Sequence, residues 1–327
     1  MASSDLPPPY APLRRPGPFA PVPAHARLTF VWAAPLMTAV FLILGNIASI
    51  PVAIPFVAAA MMRGAEAAEA VGPALLAAMA LVSFAAFAGG AMFWTSVFER
   101  RSLPTIGFRR SPLLYLRGLA VGFLFAGALV GVSALAAPED MGPALSGLGL
   151  LWGGGAGLVF LLVLFLVFVI QSGAEEVVCR GWMLSAIAAR RGPLVAVAVS
   201  SIGFALLHFH YAFFAPLTGM LVIAGVALIG VVLSFYALTE RSIWGVCGVH
   251  CAYNFTLMSL TVGQALSENP GLSPLDVVVE ALTNITSVTE YDPSLPGTIA
   301  VLGVLSLAAW RVWRRAERRR GAMLLAD

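Results

Sequence analysis

Eight apolar runs dominate the sequence, near 29–60, 73–98, 115–137, 149–174, 194–213, 215–238, 242–263 and 294–312. Each approaches the roughly 20 residues that carry a helix across about 30 Å of hydrocarbon. The runs are continuous rather than alternating, which argues for helices and against a transmembrane β-barrel. Apolar residues make up 60% of the chain and charged residues 11%, and mean hydropathy is +0.91. Such a composition needs lipid to cover its surface. The sequence therefore predicts an all-α fold, a polytopic transmembrane helical bundle of about eight spans in the cell membrane.

Arginine supplies all 19 basic residues. Arg14, Arg15 and Arg27 precede the first run; Arg100, Arg101, Arg109 and Arg110 follow the second; Arg190 and Arg191 follow the fourth, and Arg241 the sixth. Arg311, Arg314, Arg315, Arg318, Arg319 and Arg320 lie at and beyond the end of the eighth. The intervening loops carry Glu66, Glu69, Glu139, Asp140, Glu268, Asp276, Glu280, Glu290 and Asp292, with Arg63 the single base. Because basic loops stay in the cytoplasm, this alternation predicts that both termini are cytoplasmic. The net charge of +3 reflects that topology and gives no sign of nucleic-acid binding. The all-Arg, Ala-rich composition points to a bacterial inner membrane. Residues 1–28, which include Pro7-Pro8-Pro9-Tyr10, are expected to form a disordered, Pro-rich cytoplasmic arm.

Glu175-Glu176-Val177-Val178-Cys179-Arg180 breaks this pattern. No charged residue occurs between Asp140 and Glu175, and none between Arg191 and Glu240. Charge in hydrocarbon costs roughly 2.5–3.5 kcal/mol per residue, so three charges together argue for function over a helix end resting in the headgroups. His208 and His210 fall late in the fifth run and His250 in the seventh. A lone membrane histidine more often serves as an interhelical hydrogen-bond partner than as a catalyst. Several at one depth argue for a site. Arg190-Arg191-Gly192-Pro193 combines cytoplasmic charge with a helix stop and start, and so marks the turn of an antiparallel hairpin. Glu175 lies 16 residues before Arg191 and His208 lies 17 after it, which puts both roughly 24–26 Å from the turn. His250 and Asn254 are 9 and 13 residues from Arg241, or roughly 14–20 Å from the cytoplasmic end.

Successive residues on a helix differ by about 100°, so Glu175 and Glu176 are expected to face different partners. Glu176 and Arg180, spaced i,i+4, can neutralise each other. That leaves Glu175 to take a proton from water. His250 and Asn254 share a face and offer an imidazole and an amide to a developing oxyanion, while His208 can hold water or a metal. Cys179, Cys247 and Cys251 read as small packing residues.

Glu-Glu-Val-Val-Cys-Arg-Gly at 175–181, Phe204-Ala-Leu-Leu-His208 and His250-Cys-Ala-Tyr-Asn254 resemble three ordered motifs, EExxxR, FxxxH and HxxxN. These are the motifs of the CPBP intramembrane proteases, a family that includes type II CAAX prenyl endopeptidases and bacterial proteins linked to bacteriocin processing or self-immunity. The resemblance covers about 150–260. It implies that Glu175 and His208 activate water, that His250 and Asn254 stabilise the tetrahedral intermediate, and that Glu176 and Arg180 hold the framework. Phe204 is expected to pack beneath His208. The implied reaction is hydrolysis of a peptide bond in a peptide or membrane-protein substrate. Members are often called metalloproteases, which makes Glu175, His208 and His250 candidate ligands for zinc. The single histidine of the second motif, and the rarity of Asn as a zinc ligand, favour the metal-free mechanism.

The chain then divides into the arm 1–28, N-terminal spans over 29–148, a catalytic core over 149–263, an acidic extracytoplasmic loop over 264–293, and the last span with a basic tail over 294–327. Two other function classes compete. An ion-coupled transporter would also bury Glu, Arg and His, but the sequence lacks paired repeats. A catalytically silent scaffold or regulator would have no need of the complete motif set seen here.

Overall fold

The computed structural model describes residues 14–15, 17–63, 65–109, 113–136, 138–214, 216–269, 271–274, 277 and 294–323. Most of the acidic loop expected over 264–293 lies outside the described residues. The chain forms helices α1 (Ala33–Arg63), α2 (Ala65–Phe93), α3 (Leu114–Ala136), α4 (Pro138–Gly153), α5 (Gly155–Glu176), α6 (Leu184–Arg191), α7 (Pro193–Leu206), α8 (Tyr211–Phe214), α9 (Pro216–Glu240), α10 (Trp244–Glu268) and α11 (Leu295–Met323). A π-helical turn, Trp94–Phe98, extends α2, and a π-helical segment, Val177–Met183, joins α5 to α6. The polytopic helical bundle read from the apolar runs is what the structure contains. A two-residue antiparallel ladder pairs Arg14–Arg15 with Val22–Pro23.

Among the described residues six helical units are long and apolar enough to cross a membrane, against the eight runs of the sequence. Two runs account for the difference. The run at 194–213 breaks after Leu206 into turns at 207–210 and the four-residue α8, leaving α7 with 14 residues. The run at 242–263 does form a 25-residue helix, α10, but one more polar than a lipid-facing span. Its stretch Gly245–Ala252 is wholly buried, so protein rather than lipid solvates it. The run at 149–174 grows instead: α5, the π segment and α6 form one unit of 37 residues, Gly155–Arg191. At about 1.5 Å per residue this exceeds the hydrocarbon thickness. The predicted hairpin turn is present, with Gly192 at φ +83°, its N–H donating to Ala188 O at 2.9 Å, and Pro193 opening α7.

Helix α10 is the axis of the bundle, with α3, α4 and α5 packed around it. Close approach there depends on missing side chains. A Cβ on Gly118 of α3 would run into the Gly245 carbonyl, and one on Gly248 into the Tyr115 carbonyl. The main core gathers Trp182, Met183, Leu184 and Ile187 against Phe19, Phe87, Ile106 and Ile243.

The expected disordered arm needs correction over its second half. Phe19 and Val22 are fully buried and Leu28 nearly so, and arginines from three separate turns hold the main chain of this segment. Arg109 donates to Phe19 O, Arg241 through Nε to Pro18 O at 3.1 Å, and Arg190 through Nε to Leu28 O at 3.1 Å. Arg241 does so from a left-handed backbone, φ +55°. The arm read as disorder because prolines preclude helix, but an extended chain can still be held by its carbonyls.

Beside this segment lies a buried ion pair. Glu99 Oε2 accepts from Arg101 Nε at 2.8 Å, and Glu99 Oε1 accepts from Thr29 N at 2.7 Å and Thr29 Oγ1 at 2.6 Å. Arg101 Nη1 reaches Ser185 Oγ of α6 at 2.9 Å. Burial pushes the Arg101 guanidinium below its ordinary pKa, and the Glu99 charge beside it opposes that shift.

Arg101→Ala is expected to destabilise the protein by about 3–5 kcal/mol, because it leaves Glu99 buried without its counter-ion. Arg109→Ala, which removes one donor from a backbone carbonyl, should cost about 1 kcal/mol. Thermal unfolding in detergent separates the two, and equal losses would refute the distinction. For sidedness, the cytoplasmic-termini reading predicts that an impermeant thiol reagent on sealed right-side-out vesicles labels Glu268→Cys and spares Arg191→Cys; the reverse pattern inverts the topology.

Candidate active site

Three elements bring the motif residues together: the junction of α5 with the π segment, the end of α7, and the first half of α10. The π segment begins one residue after Glu176 and carries Arg180. Widened turns of this kind recur at functional sites, and this one sets Glu176 and Arg180 against α10. Arg180 Nη1 donates to Glu176 Oε1 at 2.9 Å, and His250 Nδ1 lies 2.8 Å from the same oxygen. Glu176 and Arg180 are fully buried and His250 is nearly so. The Phe204 ring covers the guanidinium, 4.2 Å from Arg180 Cζ.

Glu175 points to the other edge of the same imidazole, its Oε2 3.7 Å from His250 Nε2. The expectation that neighbouring glutamates face different partners is thus corrected. Their directions do diverge, but an imidazole carries nitrogens on two edges, and each carboxylate takes one. With Nδ1–H given to a carboxylate that can only accept, Nε2 is the nitrogen left to face the site.

Sequence reasoning missed Gln171, one turn before Glu175. Its Nε2 donates to Glu175 Oε1 at 2.5 Å, while its Oε1 accepts from Asn254 Nδ2 at 3.0 Å and from Ser172 Oγ at 3.1 Å. Gln171 therefore ties the proposed base to the proposed oxyanion donor. The signal was available, since Gln171 and Ser172 end an otherwise apolar run at i,i−4 and i,i−3 from Glu175. Glu175 Oε2 remains buried without a hydrogen-bond partner, as do Glu176 Oε2 and Arg180 Nε and Nη2.

His208 sits beyond the end of α7, among the turns at 207–210, rather than within a continuing helix. The depth estimate made from an unbroken pair of helices therefore does not apply to it. The π segment also alters the rise between Glu175 and the α6–α7 turn, and Glu175 meets His250 despite the unequal estimates. His208 Nδ1 lies 3.1 Å from Phe204 O. A carbonyl only accepts, so the neutral ring carries its proton on Nδ1 and presents a lone pair on Nε2. Phe204 packs edgewise against both imidazoles, 5.1 Å from His208 and 5.7 Å from His250 between ring centroids. It supports His208, as expected, and His250 as well. His210 stacks 6.3 Å from His208 and 4.2 Å from Tyr211, because the turn brings nearby a residue that helical phase would have sent elsewhere.

Among the described residues no three His, Cys, Asp or Glu side chains are placed to hold a metal ion. The donor set Glu175, His208 and His250 does not converge in this way, and His250 Nδ1 is already committed to Glu176. Cys179, Cys247 and Cys251 are all free thiols in buried packing positions.

Neither the curated proteins nor the solved structures yield a match to this chain. A family does match, over the segment that contains all three motifs, the π segment and the first half of α10. Residues 157–256 match the family described as type II CAAX prenyl endopeptidase Rce1-like, a membrane protease family within the CPBP group that the motifs resemble.

Proposed function

We propose that the chain is an intramembrane endopeptidase in which Glu175, with His208, draws a proton from water. That water attacks the carbonyl of a peptide or membrane-protein segment. The observation that carries the reading is the division of labour between the two glutamates. Glu176 has one oxygen engaged by both Arg180 and His250 and acts by orienting the imidazole. Glu175 has one oxygen pinned by Gln171 and the other buried, unpartnered and 3.7 Å from His250 Nε2. A carboxylate so arranged is fixed in place and retains a basic lone pair.

As the carbonyl becomes tetrahedral, charge develops on its oxygen. His250 Nε2, when protonated, can donate to it, and the Asn254 amide has an N–H whose contact with Ser172 Oγ is long, 3.5 Å. Exchange of that contact for an oxyanion would stabilise the transition state more than the ground state. His208 Nε2 offers the second lone pair for the water, and the proton so taken can then be given to the leaving amine as the C–N bond breaks. Catalysis in this scheme needs no metal.

Glu175→Gln is expected to abolish hydrolysis with protein yield unchanged, because volume and the Gln171 contact can be kept while the base is lost. Gln171→Leu should lower turnover by up to about 10² through misplacement of Glu175 and Asn254. Arg180→Ala should instead lower yield, at about 3–5 kcal/mol, by stranding Glu176. Comparing membrane-protein termini in cells with and without the active protein supplies the substrate for these assays, and equal yield losses in all three variants would contradict the assignment. Rigorous chelation should leave activity intact; loss that is restored by stoichiometric zinc would overturn the metal-free scheme.

A further inference from the structure

A groove of about 580 Å³ opens where the start of α1 meets the α6–α7 turn, and none of the motif residues lines it. Pro35, Val195 and Val199 line it in the direction of the bundle's apolar exterior, and Arg190 and Arg191 line it at the turn. No acidic side chain is among its lining residues. Phe30 and Trp32 also line it and stack with ring centroids 6.0 Å apart and planes within 11°. They are 58% and 72% exposed. Paired aromatics of that exposure beside arginines are what a bilayer's interfacial zone accommodates.

The two arginines differ. Arg190 is fixed, donating through Nε and Nη2 to Leu28 O, with its guanidinium 4.7 Å from the centre of the Phe30 ring. Arg191 is exposed and has no hydrogen bond or ion pair among the described residues. Past the turn, Leu194, Val195, Ile202 and Leu206 are exposed along α7, so the apolar wall continues into a lipid-facing surface. The groove thus passes from a doubly cationic end to an apolar wall at Val195 and Val199, with exposed apolar side chains beyond it on α7.

We propose that this groove binds one anionic phospholipid, its phosphate at Arg190 and Arg191 and an acyl chain along Val195 and Val199. A peptide would match neither the position of the wall, which is continuous with the bilayer, nor the single cationic end. A zwitterionic lipid brings its own cation to two arginines that lack an acidic neighbour in the groove, whereas a net anionic headgroup does not. The site is independent of the proteolytic reading.

The test is native mass spectrometry of the full chain in detergent with phosphatidylglycerol or phosphatidylcholine of matched chains. The parent should retain one phosphatidylglycerol in preference to phosphatidylcholine, and excess inorganic phosphate should not displace it. Arg191→Gln, a change at an exposed side chain, should weaken that retention about fivefold, and Val199→Trp, which fills the wall, should abolish it. Equal retention of the two lipids by the parent, or an unchanged preference in Arg191→Gln at an unchanged unfolding temperature, would overturn the proposal. So would displacement by inorganic phosphate, which would mark an anion site that the acyl chain does not share.

Discussion

At the centre of the bundle a carboxylate with no solvent exposure, Glu176, takes hydrogen bonds from Arg180 and His250 on one oxygen. Removing three ionisable groups from water carries a desolvation cost that their mutual attraction need not recover, so the arrangement is better understood as a positioning device than as a source of stability. Its demands spread outward. The Arg180 guanidinium has to be covered, and Phe204 covers it. The imidazole has to come from a helix too polar to face lipid, and α3, α4 and α5 sheathe that helix. Sheathing at backbone distance in turn requires glycines such as Gly118 and Gly248 on the facing surfaces.

The structure holds two kinds of buried carboxylate, and the contrast between them is informative. Glu99 has both oxygens served, by Thr29 and by Arg101. It locks the entry of α1 to the turn after α2 and, through Arg101 and Ser185, to α6. Glu175 and Glu176 each keep an oxygen without a partner. A fully satisfied group has little left to offer a reactant, whereas an orphaned oxygen is free to meet one; Glu240 also keeps such an oxygen, so it is the imidazole beside Glu175 and Glu176 that sets these two apart.

Much of this was readable from the chain. The helical class follows from continuous apolar runs, and the meeting of Glu175, Glu176, Arg180 and His250 is foreshadowed by charge and imidazole where hydrocarbon would exclude them. What escaped has identifiable causes. Six helices among the described residues are long and apolar enough to span where the runs number eight, because a helix enclosed by protein, such as α10, need not be apolar, and because hydropathy does not register the break after Leu206. The level of His208 failed for the same reason. The π segment leaves no trace in residue type, since a shift from i→i+4 to i→i+5 bonding is a backbone event. Gln171 went unremarked because a neutral amide raises no alarm in an apolar run, although it joins Glu175 to Asn254.

The segment from Gly17 to Leu28 is gripped mainly at its carbonyls, by arginines that belong to three different turns. A carbonyl is the same whatever side chain sits beside it, so away from the buried Phe19, Ala20, Val22 and Leu28, and from Gly17, where a Cβ would run into the Ala20 carbonyl, the identity of these residues is of little consequence to the grip. Their number is another matter. Insertion or deletion of one residue would slide every carbonyl past its arginine and turn the buried side chains outward. This stretch can therefore diverge freely in letters while remaining fixed in length, so that kinship at this end of the chain is better sought in spacing than in sequence identity.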